Sequence, residues 1–183
     1  MSVAEEKKEL RKHIRALKEM YTFAQKLEKS ISVQKKVLQL PDIESSATIL
    51  LYHALPDEVN TDLLLECLSN RRNGNKRVAL PVVVGDMLVL REYIPDNMSV
   101  GYNNILEPSD NDIIDPSEID FAIIPGVAFD SRNNRMGRGK GFYDRLLPYL
   151  KCKTAGLGFK FQIVERIPCE DFDRPLDMVI TED

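Results

Sequence analysis

The stretch between Ile119 and Leu150 restricts the fold more than any other part of the chain. It opens with IDFAIIPGVAFD (Ile119 to Asp130), the most strand-like run in the sequence, passes through RMGRGKGFYDR (Arg135 to Arg145), and closes on FYDRLLPYL, which reads as a short helix. In the middle, Gly137, Gly139 and Gly141 occupy every second position, with Arg138 and Lys140 between them. Glycines so spaced contribute little to a core and admit backbone conformations closed to other residues. A strand, a glycine loop and a helix in that order suit an open parallel sheet, where ligands bind beyond the carboxyl ends of the strands.

The remaining segments extend this pattern. Leu10, Ile14, Leu17, Tyr21, Ala24, Leu27 and Ile31 recur at three- and four-residue spacing, which predicts an amphipathic helix from Val3 to about Leu40, with a break near Ser30 and Ser32. ATILLYHAL (Ala47 to Leu55) reads as a buried strand. A helix follows, capped by Asn60 or Thr61 and ending near Asn73 and Gly74. RVALPVVVGDMLVLREY predicts a hairpin turning at Gly85 and Asp86, and a polar connection from Pro95 to Pro116 comes next. Loops of that length in compact domains are often functional. TAGLGFKF and DMVIT supply the last strands. Strands alternating with helices predict an α/β sandwich around a mainly parallel sheet. No linker or repeat divides residues 1–183, so one domain is expected.

Composition narrows the function. A net charge of -4 argues against a surface devoted to nucleic acid, so an anion site must be local. Cys67, Cys152 and Cys169 are too few and too scattered for a disulfide framework or a zinc site, and reduced thiols are expected. Only His13 and His53 supply imidazoles, which excludes a histidine-rich metal centre. No signal-peptide pattern opens the chain, and no run of about 18 apolar residues occurs. A cytoplasmic protein with no membrane partner is expected.

The glycine segment has the chemistry of a polyphosphate cradle. Its backbone N–H groups can turn inward around an anion, and the helix beginning near Phe142 adds its positive end. Arg135, Arg138, Lys140 and Arg145 can supply charge-assisted hydrogen bonds to phosphate oxygens. The segment has neither the Walker spacing nor the dinucleotide fingerprint. Asp144, four residues past Lys140, is placed to hold Mg²⁺ on a polyphosphate, since that ion takes one or two protein carboxylates with phosphate oxygens and water. Asp171, Asp173 and Asp177 offer a second carboxylate, and spacing alone does not choose among them.

PGVAFD followed by NRMGRGKGFYDRLL, the early KKELR, PDEVNT after the first strand, and the closing FDRPLDMVITED together resemble the 5-formyltetrahydrofolate cyclo-ligase family. The glycine block is specific to that family, and the others gain force from their order. The resemblance implies a three-layer α/β/α fold of the NagB/RpiA/CoA-transferase type. It implies ATP- and Mg²⁺-dependent cyclisation of 5-formyltetrahydrofolate to 5,10-methenyltetrahydrofolate with release of ADP and phosphate; a monomer with no nucleic acid partner is expected. The folate arrives with or without a polyglutamate tail.

The same resemblance assigns Lys7 and Arg11 to the nucleotide, together with Arg135, Met136, Gly137, Arg138, Gly139, Lys140, Gly141, Phe142 and Tyr143. Asp144 and Asp173 fall to the metal and Glu58 to the folate. Lys7 and Arg11 stand four apart and so share a helix face. Lys140, Arg138 and Arg145 are the expected catalytic cations, with Arg145 free either to touch phosphate or to pair with Asp173. The folate pocket departs from the family pattern: His53 replaces an apolar residue, and GYNNILEP holds no Trp, which leaves Tyr102 as the aromatic surface. Tyr143 can hydrogen-bond or stack against substrate, and Phe129 fits the core equally well. A sugar-phosphate isomerase or transferase on the same fold, or an RNA-binding module, are the other classes the loop allows.

Overall fold

The computed structural model describes residues 2–70, 76–170 and 173–183. Two capped helices open the chain: α1 (Val3–Glu19), begun by Ser2 with Glu5, and α2 (Phe23–Leu38), begun by Thr22 with Gln25. Each pair forms a capping box, satisfying two backbone donors reciprocally. The break expected at Ser30 and Ser32 therefore falls at Met20 to Thr22 instead. Ser30 is buried inside α2, where its hydroxyl accepts the Asn60 N–H at 3.0 Å.

After α3 (Pro41–Ser45) come β1 (Thr48–Leu50), α4 (Asp62–Ser69), and the hairpin β2 (Arg77–Val84) and β3 (Met87–Glu92). β1 is shorter than the expected strand because the chain folds back on itself. The Thr61 hydroxyl donates to Tyr52 O at 2.6 Å, and the Tyr52 hydroxyl donates to Val59 O at 2.9 Å. Thr61 stands at the cap of α4, but Asn60 Oδ1 is what accepts the Asp62 N–H, at 3.0 Å. The expected helix end at Asn73 and Gly74 lies outside the described residues. The turn at Gly85 and Asp86 is as expected, with Gly85 at φ +60°.

The connection from Pro95 to Pro116 carries its own antiparallel pair, β4 (Met98–Val100) and β5 (Leu106–Pro108). The single strand expected over Ile119 to Asp130 divides at Gly126. β6 (Phe121–Pro125) stays in the main sheet, and β7 (Ala128–Asp130) leaves it to pair with β8 (Arg135–Met136). Gly126 has no room for a Cβ because the buried Phe129 ring lies against it. α5 (Phe142–Leu146), β9 (Lys153–Leu157), β10 (Ile163–Val164) and β11 (Met178–Ile180) complete the chain.

The main sheet runs β11-β9-β6-β1-β2-β3, parallel throughout except for the β2–β3 hairpin. Its inner strands are buried on both faces, which is why they read as unbroken apolar runs. Ile49 and Leu51 face α2 and α4, packing with Val33, Val37 and Leu64. Leu50, Ala122 and Ile124 face the other way, toward Leu146 and Leu147 at and just past the end of α5. These are the three layers of the expected α/β fold. A smaller cluster joins Ile14 of α1 to Val127, Ala128, Met136 and Ile167. The three cysteines are free, and no helix among the described residues is long and apolar enough to cross a membrane.

Candidate active site

A cavity of about 300 Å³ opens beyond the carboxyl ends of β1 and β6. Tyr52, His53 and Leu55 border it after β1, and Pro125 and Gly126 do so at the end of β6. The β4–β5 hairpin supplies Tyr102, Leu106 and Glu107, and the glycine loop closes the remaining side. His53, Glu58, Tyr102 and Tyr143, expected on the folate side from three separate stretches of sequence, all border this one cavity. Tyr102 meets Phe142 edge to face, with centroids 5.8 Å apart. Burial pushes the Tyr143 phenol well above its ordinary pKa, so the group keeps its proton.

The glycine loop is held firmly where it begins. Asp130 accepts backbone N–H groups from Arg132 (2.9 Å), Asn134 (3.0 Å) and Ile167 (3.0 Å), as well as the Asn134 amide (2.9 Å). Burial acts to raise the Asp130 pKa, but these donors outweigh it and the net shift is downward. Met136, expected at the nucleotide, instead buries its side chain against Ile14 and Val127, and its carbonyl accepts the Val127 N–H at 2.7 Å.

Arg135 also departs from the expected role. Its side chain is 3% exposed and pairs with the Asp144 carboxylate, while Nη1 donates to Pro125 O at 3.1 Å. The guanidinium lies over the Tyr143 ring at 5.6 Å, and Nε has no hydrogen-bond partner among the described residues. Arg135 thus ties the end of β6 to the first turn of α5.

Beyond Gly137 the loop opens. Gly139 and Gly141 take φ +97° and +71°, conformations that favour glycine, and Gly141 caps α5 without any side-chain bond. Lys140 is exposed and makes no ion pair or side-chain hydrogen bond among the described residues. Arg145 secures the loop from behind, donating to Lys140 O (3.0 Å) and Asp86 O (2.8 Å). Its contacts are carbonyls and the Phe142 ring at 5.5 Å, not Asp173.

Helix α1 flanks the outer side of the loop. Arg11 Nε donates to Gly137 O at 2.9 Å, and its guanidinium carbon lies 3.5 Å from where a Cβ on Gly139 would stand. One turn earlier, Lys7 reaches Asp173 at 2.5 Å and Glu170 at 3.2 Å. Burial lowers the affinity of Lys7 for its proton, yet the two acids more than offset this. Neither Lys7 nor Asp173 borders the cavity. Asp171, another candidate, lies outside the described residues, and Asp177 accepts the Thr154 N–H at 2.7 Å, a structural contact.

Arg138 lies on the acid side of the loop. It donates to Asp57 at 2.6 Å through Nη2 and to Glu58 at 3.0 Å through Nε, and Glu58 accepts the Leu55 N–H at 3.0 Å. No group of three or more His, Cys, Asp or Glu side chains suited to a metal occurs among the described residues. Asp144, the carboxylate that borders the cavity next to the glycine loop, fits Mg²⁺ carried on a polyphosphate, an ion that takes one or two protein carboxylates with phosphate oxygens and water. The two open glycines, the unpartnered Lys140 and the adjacent Arg11 fit the polyphosphate itself.

The family model described as "5-formyltetrahydrofolate cyclo-ligase family" matches residues 3–182. The chain belongs to the 5-formyltetrahydrofolate cyclo-ligase family. It is 33% identical over 181 residues to the 5-formyltetrahydrofolate cyclo-ligase of Haemophilus influenzae, covering 94% of this chain and 95% of that protein. The Escherichia coli K12 enzyme of the same name is 30% identical over 177 residues, covering 92% and 96% of the two chains. Among solved structures, the 5,10-methenyltetrahydrofolate synthetase of Aquifex aeolicus superposes with a TM-score of 0.84 at 33% identity, covering 95% of this chain and 88% of that one. The Mycoplasma pneumoniae synthetase gives 0.78 at 26%, covering 97% and 99%.

For a member of this cyclo-ligase family, three residues that sequence patterns did not single out stand out. Glu107 is a buried carboxylate on the cavity-side hairpin, raised in pKa by burial in spite of backbone hydrogen bonds at Val83 and Tyr102. A lone acid in the apolar run ILEP was the available signal. Asp57 and Lys18 stand behind Arg138, and their pairing at 2.9 Å across 39 positions leaves no mark in local spacing.

Proposed function

We propose that the protein cyclises 5-formyltetrahydrofolate to 5,10-methenyltetrahydrofolate, with ATP cleaved to ADP and phosphate in the presence of Mg²⁺. The observation that carries this proposal is the shared wall. Lys140, whose ammonium is unpaired among the described residues, borders the same cavity as His53, Glu58, Tyr102 and Tyr143. A phosphate donor and a folate would therefore meet across the glycine loop.

The chemical difficulty is that a formamide carbon is a poor electrophile and its oxygen a poor leaving group. ATP would supply a phosphoryl group to the formyl oxygen, leaving ADP, after which N10 would close on that carbon, the C–O bond to phosphate would break, and the N10 proton would leave with the departing phosphate. Such a transfer needs positioning and charge neutralisation more than a protein nucleophile. Lys140 and Arg11 are placed to hold phosphate oxygens, and the N–H groups around Gly139 and Gly141 can turn toward them. Asp144 would hold Mg²⁺, whose part is to neutralise charge on the transferring group. Asp173 fixes Lys7 beside the loop and becomes a second metal carboxylate only on leaving that pair.

Arg145 acts through the loop carbonyl it binds, and Arg135 through Asp144. Glu58 offers a carboxylate to the ring N–H groups of the folate, while Tyr102 and Phe142 supply aromatic surface.

The test is to mix protein, Mg-ATP and 5-formyltetrahydrofolate and to follow the methenyl chromophore in the near ultraviolet. Product formation with matching ADP release is expected. Folded protein that yields neither product nor folate-dependent ADP would sink the proposal.

A further inference from the structure

Behind the cavity wall lies a charged chain that the reaction chemistry does not call for. Lys18, in the last turn of α1, is 5% exposed. Its ammonium donates to Asp57 Oδ2 at 2.9 Å, and Asp57 Oδ1 accepts Arg138 Nη2 at 2.6 Å. Arg138 reaches Glu58 at 3.0 Å as well. Arg138 and Glu58 border the cavity, whereas Lys18 and Asp57 do not.

A lysine is almost never this buried unless it is paired. Burial draws its proton affinity down, with Asp57 opposing, and at Asp57 the balance runs the other way: burial raises the pKa, but Lys18 and Arg138 bring it below the ordinary value. The open end of this pair points to the glycine loop through Arg138.

Two acids on one arginine have a physical use if one of them must let go. Under the proposed function, Glu58 meets the folate, and a carboxylate that accepts N–H groups from a substrate gives up part of its hold on Arg138. With Glu58 as the sole partner, each binding event would break a charge-assisted hydrogen bond, among the stronger kinds in proteins. Asp57 supplies a second oxygen to the same guanidinium, and Lys18 fixes that oxygen in place.

We propose that Lys18 and Asp57 are positioning residues that retain Arg138 when Glu58 turns to the folate, so that the glycine loop stays closed on the cavity. This rests on the proposed function for the assignment of Glu58. The device gives the loop a fixed hold on the 57–58 segment, 80 positions away in sequence. It also frees the substrate from competing with Arg138 for the only available carboxylate.

Asp57→Asn alone would leave Lys18 buried without a counter-charge and can fail to fold. The variant to use is the doubly neutral K18M/D57N, which removes both charges together. Its KM for 5-formyltetrahydrofolate should rise about tenfold, the size of one charge-assisted hydrogen bond, with kcat unchanged. Hydrogen exchange of the free protein should quicken at the amides of residues 137–141 and stay as in the wild type through β1 and β6.

An unchanged KM, or unchanged exchange in the loop, overturns the inference. So does protection lost throughout the sheet, because that marks a merely structural role. If wild-type protein makes no methenyl product, the proposed function fails and takes the folate clause with it, while the exchange measurement still decides whether Lys18 and Asp57 hold the loop.

Discussion

The two halves of the glycine loop carry similar residues and are treated in opposite ways. From Arg135 to Gly137 the side chains and backbone are tied in: Arg135 is buried on Asp144 and Pro125 O, Met136 sits in the core, and Gly137 O accepts from Arg11. At Gly139 and Gly141 the backbone takes positive φ, and the exposed Lys140 side chain makes no ion pair or side-chain hydrogen bond among the described residues. One half is an anchor and the other a hand. The proposed anion site would need both, because charge left open is useful only when the backbone that carries it is already placed.

Substitutions that separate stability from activity test that contrast. The largest effect is expected from Arg135→Met, which strands Asp144 and empties a buried charged position. Urea unfolding should show a loss of about 3 kcal/mol or more, and activity should fall with it. Unchanged stability would show that Arg135 anchors nothing. Lys140→Ala should do the reverse: kcat/KM for ATP drops on the order of 100-fold, while the unfolding free energy stays within about 0.5 kcal/mol. If both quantities fall together, the two halves are not distinct.

Asp144→Asn sits on the boundary, since Asp144 pairs with the anchor and faces the cavity. The Mg²⁺ concentration for half-maximal rate should rise about tenfold, and a titration that stays unchanged would remove Asp144 from the metal. Gly139→Ala is smaller again. At φ +97° the added Cβ should cost about 1 kcal/mol by unfolding, and a neutral result would mean that the loop is not held in that conformation.

The smallest effect lies in acid. Asp130, in the anchor, has a folded pKa below the ordinary 3.8, so its contribution is complete above that value and is lost as pH falls through the lower folded one. Stability measured below about pH 3.8 should therefore slope down, and Asp130→Asn should flatten the slope. An equally steep acid limb in the variant would place the proton uptake elsewhere.

What the sequence made legible was whatever depends on neighbours in the chain. The Gly85–Asp86 hairpin, the buried parallel strands and the glycine loop before a helix all follow from local pattern. His53, Glu58, Tyr102 and Tyr143, singled out from sequence, border one cavity. The helix break was misplaced because apolar spacing continues through Met20, although the Thr22–Gln25 capping box was present in the sequence. The partners of the cations could not be read at all. Arg138 pairs with acids some 80 positions away, and Arg135 buries a charge that composition would place at the surface. Ion pairs of that range depend on which strand ends the fold brings together.

The Phe129 ring illustrates a different kind of dependence. It lies where side chains on Gly126, Gly156 and Gly158 would have to go, with Leu176 crowding Gly156 as well. Three backbone positions, one just after β6 and two at the end of β9, thus answer to one aromatic group. Substituted singly, none of them can gain a methyl group without displacing the ring. If Phe129 first became smaller, Gly126 and Gly158 would become permissive together, so the order in which such changes accumulate would decide which of them survive.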